Sequence, residues 1–291
     1  MSQTPNIQWF PGHMAKTRRL IKECLPMVDA VCEVRDARIV LSSKNPEIDK
    51  LIGNKKRILV LNKSDFADAS TTQRWCDYYR NKGIETVVTD SRNGKGINKF
   101  PEAVRRVLKD KLDSWQNKGM STKALKIMIV GIPNVGKSSF INRLSKSKKA
   151  KVEDRPGVTR GIQWVDVDSS LQLLDMPGML WPKFESQTVS EHLAFTGAVK
   201  DDIMDIELLA VRLLECLSLQ YPKMLCERYG IELSNEDEGY DILLKIGAKR
   251  GMRISGGEIN TERAAIMVLD EFRGCKIGRI SLESPDDIER M

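Results

Sequence analysis

The sequence predicts an α/β protein with a doubly wound, mostly parallel sheet, followed by an all-helical domain. Three observations predict it. Short valine-rich apolar runs alternate with helical patterns through the first two hundred residues, the rhythm of a parallel sheet covered on both faces. One of those runs leads directly into a glycine-containing loop of phosphate-binding type and then into a helix. From Asp205 onward strand signals fade and helical periods dominate.

In chain order, residues 8–13 (Gln-Trp-Phe-Pro-Gly-His) read as a loop with a Pro-Gly turn. A helix is expected over Ala15–Leu25, with Leu20, Ile21, Cys24 and Leu25 on one side and Lys16, Arg18, Arg19 and Lys22 on the rest. Strands are expected at Ala30–Val34, Arg57–Leu61, Thr86–Thr89, Lys126–Val130 and Leu171–Leu174. Helices are expected between them at Pro46–Ile52, Ser70–Lys82, Ile97–Leu112 and Ser139–Leu144. Beyond them come Ile206–Leu219, Asp237–Ile246 and Glu258–Phe272. The expected division is 1–200 for the sheet domain, with 1–25 as an N-terminal loop and basic helix, and 201–291 for the helical domain.

The 291 residues are 41% hydrophobic and 30% charged, the composition of a globular chain long enough for one α/β domain and a smaller companion. No run of about 18 uncharged apolar residues exists, so no spanning helix is expected, and residues 1–14 carry no secretory signal pattern. The six cysteines form no C-x-x-C pair and only His13 and His192 accompany them, which argues against a zinc site or a disulfide framework and for reduced thiols in the cytoplasm. Net charge is +7, unevenly spread: residues 1–199 carry 34 Lys and Arg against 21 Asp and Glu, and residues 200–291 carry 13 against 19. A basic body suits a polyanionic partner, although many basic proteins bind no nucleic acid.

Gly131-Ile-Pro-Asn-Val-Gly-Lys-Ser138 matches G-x-x-x-x-G-K-[ST]. Glycines let backbone N–H groups close around phosphates, Lys137 reaches the outer phosphates, and the Ser138 hydroxyl is a Mg²⁺ ligand. Asn134, Val135, Gly136 and Ser139 complete the phosphate cradle. Asn62-Lys63-Ser64-Asp65 follows an expected strand and resembles the N-K-x-D motif of GTPases. Guanine offers two donors on one edge, and the Asp65 carboxylate accepts both; adenine would leave that carboxylate badly paired. Asp175-Met-Pro-Gly178 resembles D-x-x-G, with Asp175 near Mg²⁺ and the Gly178 N–H near the γ-phosphate. Thr159, in Pro156–Arg160, is placed to close over Mg²⁺, and Asp90-Ser91-Arg92 resembles the loop that supports the base. A plain turn or polar loop accounts for any one of these; their combination does not arise that way.

Their order is rotated. Ordinary GTPases run phosphate loop, threonine switch, D-x-x-G, N-K-x-D and base loop. Here the base-reading pieces at 62–65 and 90–94 come first. The result is a circularly permuted P-loop GTPase domain whose former termini are joined through residues 94–124, a rearrangement tolerated where domain termini lie close together. Gly178 then leads toward the helical domain, so a γ-phosphate-dependent movement there can reposition it.

With that order, the chain resembles the ribosome biogenesis GTPase A family of bacterial circularly permuted GTPases over nearly its whole length. The resemblance rests on Trp9–Lys16, Asp36-Ala-Arg38, Asn62–Asp65, Asn93–Gly96, Gly131–Ser138, Pro156–Arg160, Asp175–Gly178 and Ala248–Gly251. It implies a GTP-hydrolysing factor in late assembly of the large (50S) ribosomal subunit, contacting ribosomal RNA and ribosomal proteins. Two departures stand out: Ile39-Val40 where the family commonly has Ile-Pro, and Ser91-Arg92 where GTPases often have Ser-Ala. Met179 occupies the place where many GTPases carry a water-orienting glutamine; the resemblance points instead to His13 as the catalytic group. Asn134, at its place in the phosphate loop, resembles the asparagine of potassium-stimulated GTPases, which makes its side-chain carbonyl a K⁺ ligand, beside the reading of that side chain as a loop hydrogen bond. Lys245, Lys249, Arg250 and Arg253 form the candidate RNA-binding cluster, against a solvated helix end. The expected protein is a monomer with Mg²⁺ and K⁺ as cofactors. The rival readings are a GTP-gated RNA-binding module with incidental turnover and a membrane-associated switch, the latter disfavoured by the lack of a lipidation motif.

Overall fold

A computed structural model describes residues 11–119, 123–145, 162–181, 184, 186–199 and 205–289; for 11–13 it describes the backbone alone. Its centre is a six-stranded sheet in the order β3-β2-β1-β4-β6-β5. The strands are β1 (Ala30–Asp36), β2 (Lys56–Asn62), β3 (Glu85–Val88), β4 (Leu125–Val130), β5 (Gln163–Asp168) and β6 (Leu171–Asp175). All neighbours are parallel except β5 against β6. The two rotated blocks meet where β1 pairs with β4, Ala30 opposite Ile127 and Glu33 opposite Val130.

Period-two alternation assigns the side chains to the faces. On β4, Ile127 and Ile129 join the main apolar core, while Met128 joins the second with Val31 of β1 and Leu174 of β6. That second core is covered by Ile21 and Cys24 of α1 (Pro11–Cys24) and Ile48 and Ile52 of α2 (Pro46–Ile52). Helix α1 starts four residues earlier than its apolar pattern suggests, with Pro11 in its first turn, where a missing N–H costs nothing. A third cluster sets Trp75 and Tyr79 of α3 (Ala69–Asn81) on Leu59 and Leu61 of β2.

The connection between the blocks is α4 (Lys99–Val107) and α5 (Lys109–Asn117), broken at Leu108, where a single helix over Ile97–Leu112 was expected. α6 (Lys137–Leu144) follows β4. Strand β5 escaped the sequence pattern because it is an edge: only Val165 is fully buried, and Gln163, Trp164, Asp166 and Asp168 face outward. The remaining helices are α7 (Gln187–Phe195), α8 (Ile206–Gln220), α9 (Pro222–Tyr229), α10 (Gly239–Lys249) and α11 (Thr261–Arg273). Side chains cap three of their starts: Asp205 on Leu208 N, Glu238 with Asp241 in a capping box, and Asn260 on Arg263 N. Helices α7 and α9 were not expected, being short with mixed polarity.

The main core is continuous from the sheet into the helices: Leu173 of β6, Phe195 of α7, Leu213 of α8, Leu243 of α10 and Val268 of α11 belong to one cluster. After α11 the chain runs back to the sheet domain, where Ile280 N donates to Phe66 O (3.0 Å) and Leu282 N to Arg38 O (2.8 Å). The Glu283 carboxylate, 2% exposed, accepts from Leu41 N (2.6 Å) and the Ser42 hydroxyl, and meets His192 Nδ1 of α7 at 2.8 Å.

Candidate nucleotide-binding site

In an open α/β sheet, ligands bind beyond the carboxyl ends of the strands, where the winding direction switches. Five loops leave that edge here: Asp36 after β1, Asn62 after β2, Asp90 after β3, Gly131 after β4 and Asp175 after β6. Residues spread from 36 to 178 are gathered by topology alone, and the base-reading and phosphate-binding segments lie side by side because β1 pairs with both β2 and β4.

The loop after β4 is built by backbone conformations that favour glycine. Gly131 has φ +152° and a Cβ there would strike Val34 O; Gly136 has φ +89° and a Cβ would strike Asn62 Nδ2. Gly136 caps α6, so Lys137, Ser138 and Ser139 form that helix's first turn, whose unpaired N–H groups suit an anion. Lys137 Nζ is bonded to the loop's own carbonyls, Gly131 O (3.1 Å) and Ile132 O (2.9 Å). Burial lowers its pKa to about 8, with Asp175 opposing.

Burial raises the Asp175 carboxyl to about 6, with Lys137 opposing, and its Oδ1 has no hydrogen-bond partner among the described residues. An orphaned buried carboxylate oxygen that feels the charge of Lys137, the residue before Ser138, belongs to a donor set that fits a hard divalent cation. Gly178 packs on the same loop: a Cβ would lie 3.0 Å from Pro133 N and 3.1 Å from Lys137 Nζ. Met179 turns away into the second apolar core at 2% exposure, and its carbonyl accepts Asn45 Nδ2 at 2.8 Å.

Asn62 organises the base side. Its Nδ2 donates to Val135 O (2.8 Å), while its Oδ1 accepts from Thr89 Oγ1 (3.0 Å), Ser91 N (3.2 Å) and Ser91 Oγ (2.6 Å). One amide therefore registers three loops against each other. Lys63, at φ +58°, reaches Asp36 Oδ2 at 3.0 Å, and Ser64 N donates to Thr89 O at 3.1 Å. Burial, then the charge of Asp90, raises the Asp65 pKa, with Arg92 and Arg38 among the groups opposing. Asp90 spends its carboxylate on its own loop, accepting from Arg92 N (2.9 Å), Asn93 N (2.9 Å) and Asn93 Nδ2 (2.7 Å). The Arg92 carbonyl is held by Arg143 Nη2 at 2.6 Å. Asp90 and Ser91 thus brace the loop after β3, Asp90 against its own backbone and Ser91 against Asn62.

Asn134, at φ +59°, donates from Nδ2 to Gly197 O at 2.6 Å, which ties the phosphate loop to the turn after α7. Thr159, with Pro156–Arg160, lies outside the described residues, as does the side chain of His13. The candidate RNA cluster surrounds the end of α10. There Lys245 is paired with Asp237, Arg250 donates to Arg228 O (3.2 Å), Arg253 donates to Gly257 O (2.7 Å), and Lys249 is exposed. The Asp36–Arg38 pair received no role from sequence, although a D-x-R spacing at a strand end was the available signal.

A family model described as 50S ribosome-binding GTPase matches residues 126–220. Ribosome biogenesis GTPase A of Priestia megaterium is 46% identical over 285 residues, 98% of this chain and 99% of that protein. Its Thermotoga maritima counterpart is 32% identical over 282 residues, 97% of this chain and 96% of that one. The GDP-bound structure of YlqF from Thermotoga maritima superposes with a TM-score of 0.63 at 28% identity, covering 92% of this chain and all of that one. With phosphate loop, guanine-type loop and magnesium-type carboxylate on one sheet edge in rotated order, and relatives matching end to end, the chain belongs to the ribosome biogenesis GTPase A family and is a GTPase.

Proposed function

We propose that this GTPase acts in late assembly of the large (50S) ribosomal subunit, binding the immature particle in its GTP form and leaving after hydrolysis. The observation that carries the guanine reading is Asn62, which holds the Asp65 loop in register with the phosphate loop through Val135 O. The printed names of the family model and of the relatives support the ribosomal assignment. No helix among the described residues is long and apolar enough to cross a membrane.

Asn62, Lys63, Ser64 and Asp65 read the base with Asp90 and Ser91 behind them. Val135 to Ser139, with Gly178, hold the phosphates. Mg²⁺, held by Ser138 and Thr159 beside Asp175, would neutralise charge on the outer phosphate oxygens. The Asn134 nitrogen is committed to Gly197 O, which leaves the side-chain carbonyl oxygen as the atom that would take a K⁺ ion. Such a cation offsets developing charge where no arginine finger is assigned. Met179 is buried, so the attacking water needs another orienter, and His13 on the first turn of α1 takes that role. Residues 1–200 form the GTPase domain and 201–291 the helical domain, whose Lys245, Lys249, Arg250 and Arg253 contact RNA phosphates. The protein works as a cytoplasmic monomer.

The test is GTP turnover with and without purified large subunits, in potassium and then in sodium buffer. Strong stimulation by the particle, confined to potassium, is expected. Particle binding that depends on GTP without stimulated turnover would replace this reading with a GTP-gated binding module.

A further inference from the structure

Arg38 and Asp36 form a buried fork at the end of β1, each 2% exposed. Arg38 Nε donates to Asp36 Oδ1 (3.0 Å), Nη2 to Oδ2 (2.8 Å), and the Arg38 backbone N–H to Oδ1 (3.0 Å). The same Oδ2 is 3.0 Å from Lys63 Nζ, so the carboxylate is shared between Arg38 and the lysine of the base-reading loop. Burial by itself would raise the Asp36 carboxyl; the charges of Arg38 and Lys63 overcome it and hold it well below the usual range.

The outer side of the fork faces the far end of the chain. The guanidinium lies 5.6 Å from the ring centroid of Phe66, next to Asp65, and 5.4 Å from that of Phe272 on α11. Its Nη1 is buried and has no hydrogen-bond partner among the described residues. The C-terminal segment then grips the backbones of Arg38, Phe66 and Asp68: Leu282 N donates to Arg38 O, Ile280 N to Phe66 O, and Asp68 N to Ser281 Oγ at 3.1 Å. A buried pair stapling the fold would need neither the lysine of the base loop nor the helix from the other end of the chain.

We propose that Arg38 is a positioning residue for base recognition: it clamps Asp36, which fixes Lys63, and through Phe66 and Phe272 it makes nucleotide affinity depend on how α11 and the C-terminal segment are seated. This rests on reading Asn62–Asp65 as the guanine loop. Whatever grips the C-terminal helices is then felt at the base, on the opposite side of the nucleotide from the γ-phosphate switch.

The experiment is release of a fluorescent GDP and steady-state GTP turnover by the full chain carrying Arg38→Lys, Phe272→Leu, Lys63→Met, and each of the first two combined with Lys63→Met, with melting temperatures measured alongside. Lysine keeps the charge but cannot make the fork. Arg38→Lys and Phe272→Leu are expected to raise GDP release and the KM for GTP about 5- to 20-fold, with kcat at saturating GTP within about twofold. In the Lys63→Met background each should add less than about twofold, since the path they act through is gone. Equal fold-changes in both backgrounds, or unchanged release in a folded variant, overturn the proposal. Should Arg38→Lys fail to fold, Phe272→Leu carries the same cycle. Asp65→Asn separates the two claims: if it does not shift preference from guanosine to xanthosine nucleotides, the guanine reading fails whatever Arg38 does.

Discussion

Replacing Asn62 with alanine should weaken nucleotide binding far more than removing any one of its partners. The side chain is 2% exposed and makes four hydrogen bonds that tie its own loop to two others. In Asn62→Ala the Thr89 and Ser91 hydroxyls can rotate toward other acceptors, but Val135 O and Ser91 N are backbone groups fixed in place. Each stranded backbone group costs about 1–2 kcal/mol, so the pair costs about 2–4 kcal/mol. Where that cost falls on the binding-competent arrangement, affinity drops roughly 30- to 700-fold. Ser91→Ala removes only the 2.6 Å hydroxyl bond and leaves Oδ1 with two donors, costing about 1 kcal/mol, or roughly fivefold. Equilibrium titration with fluorescent GDP, beside urea melts of the apo protein, separates affinity from stability. A ranking in which Ser91→Ala equals or exceeds Asn62→Ala, or an Asn62→Ala affinity within threefold of the parent, would refute the role given to this amide.

Four further outcomes follow from the geometry. Gly136→Ala puts a methyl into Asn62 Nδ2 at φ +89°, so its nucleotide affinity should fall at least as far as that of Asn62→Ala in the same titration. Gly178→Ala crowds Pro133 N and Lys137 Nζ at 3.0 and 3.1 Å; kcat for GTP should drop by about tenfold while GDP affinity stays within a few-fold, a split visible in turnover against titration. Asp36, held below the usual carboxylate range, stabilises the fold above its unfolded pKa of about 3.9 and loses that contribution as pH falls through and below that value. Asp36→Asn should therefore destabilise by about 3–5 kcal/mol at pH 7 by stranding buried Arg38, with the gap narrowing in urea melts toward pH 3; a gap independent of pH contradicts it. Lys249→Glu with Arg250→Glu should abolish co-sedimentation with large-subunit precursors at moderate salt, and unchanged co-sedimentation would remove the cluster from the RNA surface.

What the sequence made legible follows the physics of each element. Strands β1, β2 and β4 are largely buried on both faces and read as short runs dominated by apolar residues, so their ends, and the loops that begin there, fell within one or two residues of the expected positions. The D-x-x-G and N-K-x-D segments were legible because they begin where such runs stop. Strand β5 was hidden by its solvent face, and α4–α5 by a break at Leu108, whose φ of −104° and ψ of 20° leave the helix while the apolar period continues. The roles of Asp36–Arg38 and Glu283 were illegible for another reason: a D-x-R spacing marks the first pair, but what either does depends on partners at Lys63, Phe272, Ser42 and His192, and no local pattern encodes contacts that distant. Asp90 could be placed in the right loop, but whether its carboxylate faced a base or its own backbone depended on a turn geometry that composition does not determine.

The bond between Leu41 N and Glu283 spans 242 residues, and it joins the first strand's exit loop to the last segment of the chain. At translation rates of roughly 5–20 residues per second, the loop emerges some 12–48 s before the carboxylate that satisfies it. Through that interval Arg38, just past β1, and Phe66, just past the 62–65 segment, lack Leu282 and Ile280 on their carbonyls, and Arg38 lacks Phe272. Contacts of such high sequence separation form late. If Arg38 couples the base loop to α11 as proposed, the nucleotide pocket is finished from the carboxyl end, and a nascent chain stalled before those contacts form has the phosphate-loop and base-loop motifs but no settled guanine site. A truncation series would show this as nucleotide binding that appears abruptly with the last residues rather than on completion of the motif at 175–178.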